Sequence, residues 1–500
     1  MTMEFPILFF PILFTFLLFL FMVLKTKISS SPKLPPGPWK LPLIGNIHQF
    51  VGSLPHHRLR DLAMKYGPLM HLQLGQLPIV VITSAEFAKE VMKTHDIIFA
   101  SRPFIFAMNI ISGSDIAFAP YGDHWRQLRK VCILELLSAK RVQSFRPIRE
   151  EEASNLIKSI LTHNTAGSLI NLTEKVFSMT YNVVAKVAIG KKFHGKEEFL
   201  SLIRDTMEVA GGFNVADLFP SVKILGLISG LKPRAEEIHR KIDQIFTNII
   251  DEHKARDGEV DCEDLIDVLL KVQEKGNLNI PLTMTTLTSV LMDVFTGGIE
   301  TSSSTVIWAM SELLKNPKVM EKAQAEVRQV LSKKGDIVNE DDIHGLSYLK
   351  LVIKETLRLH PPSPLLIPRE SRETCEINGY EIPAKTKVIV NVWAICRNPE
   401  NWSDPESFHP ERFLDNSVDY KGTHFQFTPF GAGRRICPGM SFGIANVELP
   451  LANLLYHFDW KLPEGQKPED LDMTEVFGSA ISRERDLCMI PVAYHPSTRE

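Results

Sequence analysis

The chain has 500 residues, 44% hydrophobic and 23% charged, with a formal net charge of -3, the profile of a globular protein with a large core. So balanced a charge excludes nucleic acid as the principal partner, because neutralising phosphates needs a clear basic excess. The six cysteines (Cys132, Cys262, Cys375, Cys396, Cys437 and Cys488) are widely spaced with no CxxC pair, which excludes a disulfide framework and a zinc ribbon and marks the body as reduced and cytosolic.

From Phe5 to Leu24 the sequence is almost unbroken Phe, Leu, Ile, Val and Met. A helix of about 20 residues spans a bilayer core of roughly 30 Å. Pro6 and Pro11 weaken such a helix without forbidding insertion. Lys25, Lys27, Lys33 and Lys40 follow the span and only Glu4 is charged before it, so the remainder is expected to face the cytosol. Residues 1–28 are therefore expected to be a single-pass membrane anchor. A cleaved signal peptide fits less well, since no basic stretch precedes the apolar run and the run exceeds an h-region of roughly 7–15 residues. Glycans on the sequons at Asn171 or Asn401 would contradict the cytosolic assignment.

Residues 29–40, rich in proline, form a stiff hinge, and residues 41–500 form one body. Leu69 to Leu74 and Pro78 to Thr83 flank Gly75-Gln76 and predict a hairpin. From Ser84 to Leu359 the apolar spacing is helical, including a long helix from Thr285 to Lys315 and another from Tyr348 to Leu359, stopped by Pro361-Pro362. Strands return at Cys375 to Ile382, around Asn378-Gly379, and at Val388 to Ile395. The fold class is mainly α with small β-sheets.

The segment that carries chemistry is Phe430-Gly-Ala-Gly-Arg-Arg-Ile-Cys437-Pro-Gly439, followed by an apolar helix from Phe442 to Phe458. Cys437 stands just before that helix, where free N–H groups and the dipole favour a thiolate, the metal-binding form of sulfur. Gly431, Gly433 and Gly439 let the backbone turn and approach a flat ligand, Arg435 can neutralise a carboxylate on it, and Phe430 can shield the sulfur.

This segment resembles the cytochrome P450 family, whose signature FxxGxRxCxG is matched at every fixed position from Phe430 to Gly439. The resemblance runs over nearly the whole body, from Pro35-Pro-Gly-Pro38 to the carboxyl terminus. It implies a single haem-binding globule after the anchor. In it Cys437 ligates the iron of haem b, and Phe430, Gly431, Arg435 and Gly439 lie beside the group.

Three further motifs fit the same resemblance. Glu355-Thr-Leu-Arg358 matches the family's ExxR pair, which is buried with an arginine here represented by Arg412, in a structural role. Gly297-Gly-Ile-Glu-Thr301-Ser302 is similar to the family's oxygen-binding turn, which assigns proton delivery to Thr301 and Glu300. Two glycines inside a helix cost about 1 kcal/mol each and so require a reason, either a distorted turn or close helix packing. Trp125-Arg-Gln-Leu-Arg129 resembles the WxxxR helix, whose Trp125 and Arg129 would reach the haem carboxylates with Arg369 and Arg435.

By the same resemblance the pocket is lined by Phe104, Ile116, Phe213, Leu291, Val294, Gly297, Leu366, Phe477 and Ala480, a largely apolar set. The sequence does not show whether Asp293 faces it. The pattern is similar to the plant microsomal (A-type) enzymes that hydroxylate terpenoids, alkaloids and flavonoids. That implies a monooxygenase of the endoplasmic reticulum membrane inserting one atom of O2 into an apolar small molecule, a terpenoid first and an alkaloid or flavonoid otherwise. No flavin or nicotinamide domain is present in the pattern, so electrons would come from NADPH through a separate cytochrome P450 reductase, docking on Arg126, Lys130, Lys140 and Arg141. A reductase-independent haem-thiolate isomerase or dehydratase is the alternative chemistry, although it would not need the Glu300-Thr301 pair. A haem sensor or carrier would need neither that pair nor a substrate cavity.

Overall fold

The computed structural model describes residues 33–495 except 113–114, 163–167, 192–194, 212, 257–262, 277, 332–337 and 479. The expected anchor over residues 1–28 and the start of the hinge lie outside the described residues. Among the described residues no helix is long and apolar enough to cross a membrane.

The first helix, α1 (Pro55–Tyr66), begins on a proline, whose missing N–H costs nothing in a first turn. Next come β1 (Leu69–Leu74) and β2 (Leu77–Ile82), antiparallel with Leu74 opposite Leu77 across the expected Gly75-Gln76 turn. The helical stretch follows as α2 (Asp123–Val131) and α3 (Arg146–Thr162), then β3 (Ile170–Asn171) and α4 (Leu172–Ile189). It continues through α5 (Lys196–Ala210), α6 (Leu231–Lys254), α7 (Leu265–Lys275), α8 (Met284–Gly298), α9 (Glu300–Lys315), α10 (Pro317–Leu331) and α11 (Ser347–Leu359). Apolar positions three and four apart set the buried faces, as in α4 with Val176, Met179, Val183, Val184 and Val187.

Beyond α11 lie β4 (Arg369–Glu370), the hairpin β5 (Cys375–Ile377) and β6 (Tyr380–Ile382), and β7 (Lys387–Val390). The hairpin turns on Asn378 (φ 51) and Gly379 (φ 75), the left-handed pair that suits a two-residue loop. The expected strand from Val388 to Ile395 is shorter. It stops at Val390, and residues Val392–Ile395 form a helical turn, α12. The cause is Asn391, whose side-chain oxygen accepts the N–H of Ala394 at 3.0 Å and caps a helix start. The chain ends with α13 (Met440–His457), β8 (Phe458–Lys461), β9 (Glu475–Phe477), β10 (Ile481–Arg483) and β11 (Cys488–Ala493). The largest sheet has the order β1-β2-β7-β4, with β2 and β7 parallel, and the others are small.

The long helix expected from Thr285 to Lys315 is in fact two, α8 and α9, separated at Ile299 (φ -83, ψ -68). The break falls on a seam in the core. Leu287, Val290, Leu291, Met292, Phe295 and Ile299 belong to one apolar cluster with α4, α5 and α6. Val306, Ile307, Met310 and Leu313 belong to a second with α10, α11 and α13. Each such side chain contributes roughly 1.5–3 kcal/mol on burial, so each cluster holds its own helix, and the break falls where the first cluster ends, at Ile299.

Candidate active site

The loop before α13 is shaped by backbone that only glycine adopts easily. Gly431 and Gly433 have φ of 69 and 68, and a Cβ on Gly433 would lie 2.1 Å from the carbonyl oxygen of Met92. Gly439 is different, with an ordinary φ of -91, and a Cβ there would come 3.9 Å from the Cys437 sulfur. Cys437 N–H donates to Phe430 O at 2.9 Å, closing the loop, and the half-buried Phe430 ring packs 5.5 Å from Tyr420.

The Cys437 side chain is exposed, yet the protein around it is dense enough that desolvation is the main influence on the thiol and pushes its pKa up. The Gly439 N–H and the Arg129 guanidinium pull the other way. The Gly439 N–H at the helix start thus favours the thiolate, and burial opposes it. Coordination to a metal ion would remove the proton outright. A cysteine that stays accessible inside dense protein is a soft donor open to a metal, and a donor so placed suits haem iron.

Above the loop stand buried arginines. Arg435 donates to the carbonyls of Ala100 and Ala119, each at 2.6 Å, and of Ile116 at 3.2 Å, and its guanidinium lies 4.0 Å from the Trp125 ring. Arg369 donates to Ala432 O at 2.8 Å, and Arg129 to Ile436 O. Trp125 Nε1 donates to Ile116 O at 3.0 Å. Arg102 was not singled out in the sequence; it is buried in the same cluster and donates to the carbonyls of Ala117, Ile367 and Pro368. No spacing rule marks an arginine in a loop, so nothing in the sequence distinguished it. Burial and mutual repulsion push Arg435 down to about 9, and burial pushes Arg369 down to about 10. Among the described residues, the only ion pair these four make is Arg369 with Asp96, at 3.5 Å. So much buried positive charge calls for an anion, and the two carboxylates of haem supply one.

The turn between α8 and α9 explains its two glycines separately. A Cβ on Gly298 would meet Val184 Cγ2 at 3.0 Å, so this glycine permits close packing on α4. A Cβ on the exposed Gly297 would meet nothing within 4 Å, so this glycine borders open space. Thr301 Oγ1 donates to Gly297 O at 2.7 Å across the break. Burial raises the Glu300 carboxyl above its ordinary range, while Arg204 opposes the shift, so Glu300 retains a proton more readily than a surface acid.

Asp293 points to a loop. Its Oδ2 accepts the N–H of Ile116 at 2.7 Å, and burial together with the charge of Asp115 raises its carboxyl well above the usual range. Asp115 accepts the N–H groups of Phe118 and Ala119 at 2.7 and 2.8 Å. This loop is thus bonded on both sides, through its N–H groups to acids and through its carbonyls to Arg102, Arg435 and Trp125.

The residues expected to line the pocket are distributed unevenly. Gly297 and Phe477 are exposed, Val294 and Leu366 are half-buried, and Leu366 Cδ1 lies 3.7 Å from where a Gly431 Cβ would be. Ile116 and Ala480 are buried. Leu291 is sealed in the helical core at 0% exposure. Phe104 lines an outer cavity of about 240 Å³ with Arg102, Asp115 and Lys385, and Phe213 lies 5.3 Å beneath Lys387.

The acid–base set is buried and complete. Arg358 Nε donates to Glu355 Oε2 at 2.8 Å and its second nitrogen to Oε1 at 2.8 Å, while Arg412 Nε reaches Oε1 at 2.9 Å. Arg358 also holds the carbonyls of Cys396, Pro405 and Ser407, which ties α11 to the segment leading to the cysteine loop.

The cytochrome P450 family model matches residues 35–488. Desmethyl-deoxy-podophyllotoxin synthase of Sinopodophyllum hexandrum is 55% identical over 96% of this chain and 95% of its own length. Premnaspirodiene oxygenase of Hyoscyamus muticus is 53% identical, covering 95% of each. A zebra fish cytochrome P450 structure with abiraterone superposes with a TM-score of 0.74 at 26% identity, over 88% of this chain and 99% of that one. Identity at this level over almost the full length of both partners is common descent, and this chain belongs to the cytochrome P450 family of haem-dependent monooxygenases.

Proposed function

We propose that the chain is a membrane-bound monooxygenase that places one oxygen atom from O2 on an apolar terpenoid, taking electrons from NADPH through a separate reductase. The observation that carries this reading is the break between α8 and α9, where an open Gly297 stands one helical turn from the Thr301 hydroxyl. Haem held by Cys437 would supply O2 activation there, with a strongly donating sulfur.

The other steps belong to the protein. Arg102, Arg129, Arg369, Arg435 and Trp125 would hold the carboxylates of the group and fix its orientation. Glu300 stores a proton, and Thr301 Oγ1, now bonded to Gly297 O, turns to pass it toward oxygen. Ile116, Val294, Leu366, Phe477 and Ala480 orient the substrate by shape and exclude water, which protects a reactive site from side reactions.

Electron delivery is assigned to the face that carries Arg126, Lys130, Lys140 and Arg141. Arg126 pairs with Asp123 and Arg141 with Glu263, so the exposed Lys130 and Lys140 are the cations of this set left for an acidic partner, among the described residues. Attachment to the endoplasmic reticulum through residues 1–28 is supported by exposed apolar side chains at the end of the hinge, soon after it and at Ile228. Trp39, Leu43, Val51 and Ile228 are 70%, 72%, 81% and 73% exposed, and the β1–β2 turn touches both segments' neighbourhoods, Gly75 N–H bonding Ile44 O and Gln76 bonding Leu218 and Ser221.

The test is expression with a plant reductase, NADPH and a panel of premnaspirodiene, an alkaloid and a flavonoid, with products read by mass spectrometry. Oxygenated premnaspirodiene is expected. NADPH-independent turnover driven by peroxide, or a product only from the alkaloid or flavonoid, would refute the terpenoid monooxygenase reading.

A further inference from the structure

Away from the sulfur, one carboxylate gathers three imidazoles. Glu475 Oε2 accepts from His56 Nε2 at 3.0 Å and His57 Nε2 at 3.2 Å, and Glu475 Oε1 faces His360 Nδ1 at 3.3 Å. The other nitrogen of His360 lies 2.8 Å from Glu312 Oε1, and its ring lies flat on Trp308 at 4.0 Å. Neighbouring positions on a helix ordinarily face different ways, yet His56 and His57 at the start of α1 converge on one oxygen. Only His57 is appreciably exposed, so these are charge-assisted hydrogen bonds in a dry setting, where they are strong. The three imidazoles together hold the Glu475 carboxyl far below the usual range against its burial.

This carboxylate opens β9. In the β9–β10 pair Ile481 stands opposite Phe477 and Arg483 opposite Glu475, so Glu475 is two residues from the ring expected to meet substrate. The His56 ring also stacks 5.9 Å from Phe477. The opposite strand is fastened to the oxygen-binding helix. Ile481 O accepts from Ser304 Oγ and from Trp308 Nε1, and Ile481 N–H donates to Pro362 O at 2.9 Å. Ser304 lies three residues beyond Thr301 on α9. One strand of the hairpin is therefore held by α9 and the other by the imidazoles.

A zinc-class cation is the competing occupant, since His56, His57 and Glu475 offer ligand atoms within 4.8 Å of one another. Fixed positive charge opposes it. The Arg397 and Arg60 guanidinium groups lie 4.0 and 4.9 Å from the Trp393 ring, and His57 packs against that same ring at 4.2 Å. The charge of Arg397 acts on both His56 and Glu475. A dication would sit among these groups, whereas a hydrogen-bonded carboxylate is stabilised by them.

We propose that Glu475, gripped by His56, His57 and His360, is a positioning residue that sets the β9–β10 hairpin against α9 and so decides which carbon of the substrate is presented to oxygen. This rests on the reading of Phe477 and Ala480 as pocket residues. The test uses the haem-loaded full chain as wild type, Glu475→Ala, Glu475→Gln and His57→Phe, with premnaspirodiene as probe.

The Ala variant is expected to keep its haem and its thiolate-type absorption with carbon monoxide, to raise KM, and to shift the ratio of oxidised isomers by about three- to tenfold. That is below the roughly 100-fold loss a 1 Å misplacement can bring. Gln retains an acceptor and is expected to restore part of the ratio, and His57→Phe to shift it less. Hydrogen exchange over residues 475–483 reads the mount without any substrate and is expected to quicken in the Ala variant. If wild type oxidises no premnaspirodiene, the function reading fails and exchange alone decides this inference. Unchanged exchange, an unchanged isomer ratio in a haem-replete Ala variant, haem loss in all three variants, or a wild-type ratio altered by a zinc chelator would each overturn it.

Discussion

Replacing the glycines of the α8–α9 turn one at a time separates their two roles. Alanine at a helical glycine gains about 1 kcal/mol of propensity. At Gly297 nothing opposes that gain, because the new methyl meets no atom within 4 Å. At Gly298 the methyl lands 3.0 Å from Val184 Cγ2 and 3.9 Å from Phe442. Val184 is 0% exposed and β-branched, so it cannot swing aside, and overpacking of this kind costs typically 1–3 kcal/mol. Gly298→Ala is therefore expected to be less stable than Gly297→Ala by about 1–3 kcal/mol, with Gly297→Ala at or above wild type. Urea unfolding of the haem-loaded chain, followed at the Soret band, measures the difference. In a Val184→Ala background it is expected to vanish. Equal stability of the two alanines within about 0.5 kcal/mol, or persistence of the gap without the valine, would refute the packing argument.

Thr301→Ala is expected to retain haem while diverting reducing equivalents to peroxide, read as peroxide formed per NADPH consumed; unchanged coupling removes the hydroxyl from proton delivery. Glu355→Gln leaves Arg358 buried without its counter-ion and is expected to cost about 3–5 kcal/mol and lower haem retention; a loss under about 1 kcal/mol would contradict the burial seen here. His71, on β1, has its pKa lowered to about 4, chiefly by burial. The unfolded chain then binds a proton that the folded one refuses, so stability should fall as pH drops from about 6.5 toward 4. His71→Phe should flatten that part of the melting profile. Reductase-supported turnover should decline as salt rises if Lys130 and Lys140 dock an acidic partner, and a flat salt response counts against them.

Local chemistry was readable and through-space chemistry was not. The turns at Gly75-Gln76 and Asn378-Gly379 were foreseen because turn residues act on their own backbone. The strand past Val390 was overextended because Val392-Trp-Ala-Ile395 is an apolar run that suits either element, and only the Asn391 side chain decides. The two glycines announced a distortion, but their different reasons depend on Val184, more than a hundred residues upstream. Leu291 shows a similar limit. Its place in the pocket is what the family resemblance implies, while the helices packed against α8 bury its side chain completely. Arg102, the Asp293 contact with Ile116 and the imidazoles around Glu475 all join residues distant in sequence, which no pattern in one chain displays.

The seam at Ile299 lets the molecule change its diet without relearning its chemistry. Side chains on the α8 side can be exchanged among themselves, while the buried Glu355–Arg358 pair that ties α11 to the segment leading to the cysteine loop lies on the other side. Substitutions that far apart tend to act independently, so a lineage built on this frame can explore new molecules one wall at a time and still keep a working furnace.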